Sequence, residues 1–334
     1  MEKSLKMLPG LVYVALPIVV LGIIRKYREF TWGRFKSNVS LSGKVFIVTG
    51  SNSGVGKETA RELARRDACV IMACRDLDNV AKAITDIRRT TTAGTLVPMQ
   101  LDLASFKSIR HFSQSVKLKF NKVHVLINNA GVYYPLQSRV KTSNGFEMNF
   151  GVNHLGHFLL TQLLLDKLKE SSPSRIVIVS SGLHEKGQLD LDDLNMEKRK
   201  EALQKERVNQ AYCASKLANV YHCRELAKRL KGSGVDVYAV CPGFTYTNIF
   251  RHSKLKWWQY VMFLPVAFFY LRSSRQGAQT IIRCATDETL TGTSGNFYKN
   301  CQPYFSQIKF DPEMDTKLWK KCEELVAIES KALD

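Results

Sequence analysis

Acidic residues are scarce in this chain: 30 Asp and Glu stand against 49 Lys and Arg, for a formal net charge of +19. That imbalance asks for an anionic partner or surface. No basic motif with interleaved aromatics occurs, so nucleic acid is not the expected partner. Paired cysteines are also missing. Cys69, Cys74, Cys213, Cys223, Cys241, Cys284, Cys301 and Cys322 include no C-x-x-C. They form no His/Cys cluster at ligand spacing either, so no metal site is expected. Several sit in apolar runs such as Val70-Ile71-Met72-Ala73-Cys74, which reads as buried free thiols in a reducing compartment. There is no internal repeat and no low-complexity segment. With 334 residues, 45% of them hydrophobic, the chain can fill one large core or two small ones unaided.

Long apolar runs are few, and two stand out. Residues 7–24 (MLPGLVYVALPIVVLGII) carry no charge. As a helix they would extend about 27 Å, close to a hydrocarbon core of about 30 Å. A cleaved signal peptide is disfavoured, because no small-x-small site follows and the next residues are Arg25-Lys26-Tyr27-Arg28. Pro9, Pro17 and Gly22 leave a hairpin or an interfacial anchor as alternatives to a span, and a core helix is the plain alternative. The excess of cations after the run puts the remainder of the chain on the cytosolic side. Residues 257–271 (WWQYVMFLPVAFFYL) are the second run, with Arg251, Lys254 and Lys256 just before it. At this length they suit an interfacial element or lipid-substrate lid over 251–272, or a core helix. Residues 1–43 are thus expected to be an anchor and basic linker, and 44–334 the folded domain.

From Lys44 onward, strand-like and helix-like stretches alternate. Apolar β-rich runs at 45–48, 70–73, 123–127, 176–179 and 235–240 read as buried parallel strands. Residues 96–100 are a weaker strand because of Pro98. Helical patterns at 57–66, 105–119, 158–169 and 212–230 lie between them. Repeated β-α-β units predict an α/β fold with a doubly wound, Rossmann-type parallel sheet. The charge-dense run 196–207 (MEKRKEALQKER) reads as a solvated helix or loop without chemistry.

Two constellations carry chemistry. The first is Thr49-Gly50-Ser51-Asn52-Ser53-Gly54-Val55-Gly56, after the first strand and at the start of a helix. Glycines let the backbone approach a pyrophosphate, and the helix N-terminus supplies N–H groups. A purely structural turn is the alternative, but strand, turn, helix and second strand in sequence favour a dinucleotide. The second strand ends Cys74-Arg75-Asp76. Arginine there suits the 2′-phosphate of NADP, whereas an acid would suit NAD. Arg75 comes first and Cys74 holds the usual acidic position, so NADP is expected, although Asp76 competes. The second constellation is Tyr212 and Lys216, the only Tyr-x-x-x-Lys in the chain. Residues four apart share a helix face, and a neighbouring cation is expected to lower a phenol from its usual value of about 10 toward neutrality. Such a tyrosine can exchange a proton with an alcohol or carbonyl oxygen.

Further motifs now join these: Leu101-Asp102-Leu103-Ala104-Ser105, Asn128-Asn129-Ala130-Gly131, Asn153-His154-Leu155-Gly156-His157-Phe158, Val179-Ser180-Ser181 and Pro242-Gly243. In this order they resemble the short-chain dehydrogenases/reductases, from about Lys44 to the end. Gly145-Phe146-Glu147-Met148 and Asp192-Asp193-Leu194-Asn195 look like the membrane-anchored retinol dehydrogenases among them. The resemblance implies an NADP(H)-dependent oxidoreductase acting on a lipophilic alcohol or carbonyl, with retinal the first candidate. A steroid, polyprenoid or fatty aldehyde is the alternative, and a membrane-tethered nucleotide-binding scaffold is the non-enzyme reading. Tyr212 is implied to be the general acid/base and Lys216 its tuner and ribose ligand. Ser181 would hold the substrate oxygen, and Asn153 would position a relay water. Asp102 would meet the adenine. Asn129, Ala130 and Gly131 would line the cofactor cleft, and Pro242, Gly243, Thr245 and Thr247 would lie near the carboxamide. His154 and His157 read as packing or surface residues, and His184 has no evident partner. The implied location is a membrane, the endoplasmic reticulum first, with lipid droplet and mitochondrion as alternatives. Two departures from the family pattern stand out. The Ser181–Tyr212 interval is long, with the excess at 196–207, and Cys241 stands where histidine is more usual.

Overall fold

The computed structural model describes residues 7–198, 208–245 and 257–327. Eight strands form one sheet in the order β3-β2-β1-β4-β5-β6-β7-β8. They are β1 (Val45–Thr49), β2 (Cys69–Cys74), β3 (Thr95–Gln100), β4 (Val125–Asn128), β5 (Ser174–Val179), β6 (Val235–Cys241), β7 (Phe297–Lys299) and β8 (Gln302–Pro303). Pairing is parallel from β3 through β7, and only β8 runs antiparallel. Side-chain alternation sends successive residues to opposite faces. Ile47, Ile71, Leu126, Ile176 and Val237 join one core, while Phe46, Val48, Val70, Val125 and Tyr238 join the other. Two buried faces explain why these strands are apolar throughout. β3 keeps Pro98 because it is the sheet's edge, where a missing N–H leaves no partner unpaired.

In chain order the helices are α1 (Met7–Thr31), α2 (Gly54–Arg65), α3 (Leu77–Arg88), α4 (Phe106–Lys119), α5 (Gly156–Glu170), α6 (Gln210–Arg229), α7 (Trp257–Tyr270), α8 (Ser274–Thr286) and α9 (Pro312–Ala327). Before α5, residues Gly151–Leu155 form a π-helical turn. Such turns release carbonyls from helix pairing, often at functional sites. Helices α4, α5, α6 and α9 cover one face, and α2, α3 and α8 cover the other. β1 is flanked by β2 on one side and β4 on the other. A crevice opens beyond the carboxyl ends at this reversal of strand order, where open α/β sheets bind ligands.

Helices α1 and α7 meet through the basic residues that follow the first apolar run. Arg25 donates to the carbonyls of Phe268 (2.6 Å) and Leu271 (3.0 Å), and Arg28 donates to that of Phe269 (3.1 Å). The end of α7 offers unpaired carbonyls at a negative dipole pole, so cations settle there. Among the described residues no helix is long and apolar enough to cross a membrane, and a span over 7–24 is not shown. What is shown is a helix pair with exposed apolar side chains, among them Phe30, Ile23 and Met262.

Candidate active site

Residues of the glycine turn approach other backbone so closely that side chains are barred. Gly50 has φ +65°, and a Cβ there would lie 2.9 Å from Ala130 Cα. A Cβ on Gly56 would meet Asn129 Nδ2 at 2.5 Å. Ser53 precedes α2 with no capping bond from its side chain. Asn129 Nδ2 donates to the Thr49 carbonyl (2.8 Å), and the amides of Asn129 and Ala130 both reach Thr49 Oγ1 (2.9 Å each). The β4 end is thereby laced to the turn, so Asn129 lines the crevice and also builds it.

At the end of β2 the competition between Arg75 and Asp76 has a structural outcome. The Asp76 carboxylate caps α3, accepting from the Asn79 amide at 3.0 Å and from the Asn79 side chain at 2.5 Å. That hydrogen bonding holds its pKa below the usual carboxylate range. Cys74 Sγ accepts from the Ser51 amide at 3.1 Å. Burial pushes the Cys74 thiol up, so it stays neutral. Arg75 is exposed at the rim.

At the other end, Asn209 caps α6 by accepting from the Tyr212 amide (3.1 Å). α6 therefore starts so that Tyr212 and Lys216 both face β5. The Tyr212 and Ser181 side chains both line the cavity, and Ser181 Oγ accepts from the Leu183 amide (3.2 Å). Both serines line the cavity, but the Ser180 hydroxyl is engaged, donating to the Lys216 carbonyl (2.7 Å), which favours Ser181 as the serine that meets a substrate. The Lys216 ammonium lies 5.6 Å from the Tyr212 ring centre and donates to the Val179 carbonyl (3.1 Å). Burial pushes Lys216 down to about 8.

The phenol does not behave as the sequence suggests. Burial pushes Tyr212 upward, and the influence of the Ser181 side chain only partly offsets this. The expected lowering by Lys216 fails because that cation is itself desolvated and turned toward Val179. The Asn153 side chain is held by the Val132 amide (2.7 Å), the Val132 carbonyl (3.0 Å) and Ser215 (3.1 Å).

A cavity of about 1000 Å³ joins the two ends. It is lined by Gly50, Asn52, Ser53, Gly54, Val55, Gly56, Arg75, Asp102, Asn129, Ala130, Gly131, Ser181, Tyr212, Lys216, Pro242, Gly243 and Thr245. Ser51 lies fully buried beneath the turn and Asn153 behind Lys216, both off the cavity wall. Thr247 lies outside the described residues, as do Arg251, Lys254, Lys256 and most of 196–207. An elongated cavity with a glycine cradle at one end fits a dinucleotide. Among the described residues no cluster could hold a metal.

Several residues at or beside the cavity escaped sequence reasoning. Lys299 enters from β7, its ammonium 4.4 Å from the Tyr304 ring centre; a three-residue strand leaves no periodic signal. Tyr133 lies tilted against Tyr212 with ring centres 5.2 Å apart, and its position two residues after the Asn-Asn-Ala-Gly motif could have flagged it. His184 is not partnerless: its ring bridges the Ser181 carbonyl (2.6 Å) and Ser306 Oγ (2.7 Å).

The family described as short chain dehydrogenase matches residues 44–190 and 200–256. Human retinol dehydrogenase 11 is 46% identical over 297 residues, covering 89% of this chain and 87% of that protein. Human retinol dehydrogenase 12 is 44% identical over 306 residues, covering 91% and 92%. Mouse retinol dehydrogenase 14 is 41% identical over 301 residues, covering 86% and 87%. Among solved structures, an uncharacterized protein from Mycobacterium paratuberculosis superposes with a TM-score of 0.64 at 32% identity, covering 86% of this chain and 95% of its own. An NADP active-site complex from Pseudomonas aeruginosa superposes at 0.61 with 23% identity, over 79% and 96% of the two chains, and shows the fold alone.

Proposed function

The chain belongs to the short chain dehydrogenase family, and from that premise we propose that it is an NADP(H)-dependent oxidoreductase interconverting retinol and retinal. The observation that carries this reading is a dinucleotide-sized cavity lined by the glycine turn on one side and by Ser181, Tyr212 and Lys216 on the other. Bound NADPH supplies the hydride for reduction.

Ser181 and Tyr212 hold the substrate carbonyl oxygen, and Tyr212 delivers its proton there. Because burial keeps that phenol protonated, it enters the reductive direction as an acid already loaded. Hydrogen-bond donors fixed before the reaction stabilise the charge that develops on oxygen. Lys216 would hold the cofactor ribose, and its charge beside the phenol would favour proton release from Tyr212. Asn153, buried beside this site, supports the path by which Tyr212 is reprotonated.

NADP over NAD is supported by the end of β2. Arg75 stands exposed, Asp76 is engaged as a helix cap, and a neutral thiol occupies the place where an acid would meet a ribose. Asn52, Ser53 and Asp102 line the same end of the crevice. The retinoid assignment is supported by the relatives' names and by the apolar helix pair. α1 and α7 are proposed to seat the domain on a membrane, cytosolic side, with the endoplasmic reticulum as first location. A retinal, steroid, polyprenoid and fatty-aldehyde panel with NADPH and NADH in parallel tests the proposal. Fastest turnover with retinal and NADPH is expected; a preference for NADH, or no turnover of retinal, would refute it.

A further inference from the structure

Asn219 lies one helical turn beyond Lys216 and is 2% exposed. Its side chain is oriented without ambiguity. Nδ2 points at two carbonyls, those of Asn153 and Val179, each 3.1 Å away. Only the NH₂ end can donate to both. Oδ1 then has to accept from His154 Nδ1 at 3.0 Å, so that nitrogen carries the proton. His154 Nε2 is left as an acceptor, and the Cys322 thiol stands 3.3 Å from it. The second buried histidine is fixed by the same logic. Thr49 Oγ1 receives two amide N–H bonds. Its single hydroxyl proton goes to His157 Nε2 at 2.9 Å rather than to the Ile127 carbonyl at 3.4 Å. His157 Nδ1 is therefore protonated and donates to the Asn153 carbonyl at 3.2 Å.

The two chains meet on one atom. The Asn153 carbonyl, in the π-helical turn, receives Asn219 Nδ2 and His157 Nδ1. The Val179 carbonyl receives both Asn219 and the Lys216 ammonium. We propose that Asn219 is a positioning residue for the reaction, fixing the carbonyls that seat Lys216 and Asn153, and that His154 and His157 hold this arrangement as Nδ1–H tautomers. The proposal rests on the assignment of Tyr212 and Lys216 given above. Both imidazoles are uncharged near neutrality, since burial pushes His154 down to about 4 and His157 to about 3.

Two readouts test it in the full-length protein. Asn219→Ala is expected to lower kcat for retinal about 10- to 100-fold, the scale of a misplacement of about 1 Å. Its KM for NADPH is expected to stay within about threefold of wild type, since the loss falls on the reaction and not on cofactor binding. His222→Leu is the control: His222 is equally buried on α6, its Nε2 has no hydrogen-bond partner, and its kcat is expected to match wild type. Nitrogen-15 NMR of wild-type protein labelled at histidine is the second readout and needs no substrate. It is expected to show His154 and His157 as Nδ1–H tautomers. A folded Asn219→Ala with wild-type kcat would overturn the proposal, as would an Nε2–H signal from either histidine. If Asn219→Ala does not fold, the tautomer spectrum alone decides. Wild type that binds NADPH and reduces no retinoid would refute the proposed function and leave the tautomer result standing.

Discussion

At the glycine end of the cavity the walls are backbone: Gly50, Gly54 and Gly56 bring amides and bare Cα atoms to the surface. At the Tyr212 end the walls are side chains sealed from water, with Tyr212 and Lys216 each less than a tenth exposed and Asn153 buried off the wall. The first region works by shape, the second by desolvation. Shape is lost when atoms are added, whereas a desolvated network is lost when a polar atom is removed or a charge is moved. The two ends should therefore fail in different ways.

Tyr212→Phe breaks the comparison hardest. It removes one oxygen from the sealed end, and kcat is expected to fall by about 10³, within the usual range for a general acid, while NADPH affinity barely changes. Stopped-flow reduction of retinal and NADPH fluorescence titration check the two halves. Gly56→Ala does the reverse. The added methyl meets Asn129 and the Gly50 backbone, and such overpacking costs about 1–3 kcal/mol. A lower melting temperature and weakened NADPH binding are expected, with kcat at saturating cofactor nearly kept. Arg75→Ala acts only at the rim. Losing a hydrogen bond to a charged group costs about 1.5–3 kcal/mol, so NADPH binding should weaken about 10- to 100-fold while NADH binding is unmoved. Parallel titrations with the two cofactors measure this.

Lys216 gives the smallest effect and the most discriminating sign. Its folded value of about 8 lies below that of a free lysine at about 10.4. Between those values the unfolded chain holds a proton that the folded chain has shed, so stability of the cofactor-free protein rises with pH across that window. Below about 8 the buried charge is carried at full cost. Lys216→Met is therefore expected to raise the melting temperature at pH 7 and to lose that advantage by pH 10, although the variant is inactive. Thermal melts across the range read it directly, and a variant less stable than wild type at pH 7 would contradict it.

The same contrast explains what could be read from sequence. The strands from β1 to β6, the turn at Thr49–Gly56 and the Tyr212/Lys216 spacing are local patterns, fixed by apolar runs and helix periodicity. β7 and β8 are too short for periodicity, and they bring Lys299 to the cavity unannounced. The direction of the Tyr212 shift, the engagement of the Asn153 side chain by Val132, and the partners of His154 and His184 depend on residues far apart in the chain. Neighbours in sequence suggested that Lys216 tunes Tyr212, but burial and the Val179 carbonyl decide its position without cofactor. Asp76 shows the reverse case. Its role as a cap was legible, since it precedes α3 with Asn79 three residues on, and recognising it removes the ambiguity beside Arg75.

The central claim is that Tyr212 protonates a retinoid oxygen while hydride arrives from NADPH. Retinal reduction with NADPH deuterated at the nicotinamide C4 tests this most directly, with retinol analysed by mass spectrometry. Wild type is predicted to place deuterium on the alcohol carbon, and Tyr212→Phe, with NADPH bound to the same extent, to yield almost no labelled retinol. Labelled retinol formed at the wild-type rate by Tyr212→Phe would contradict the account.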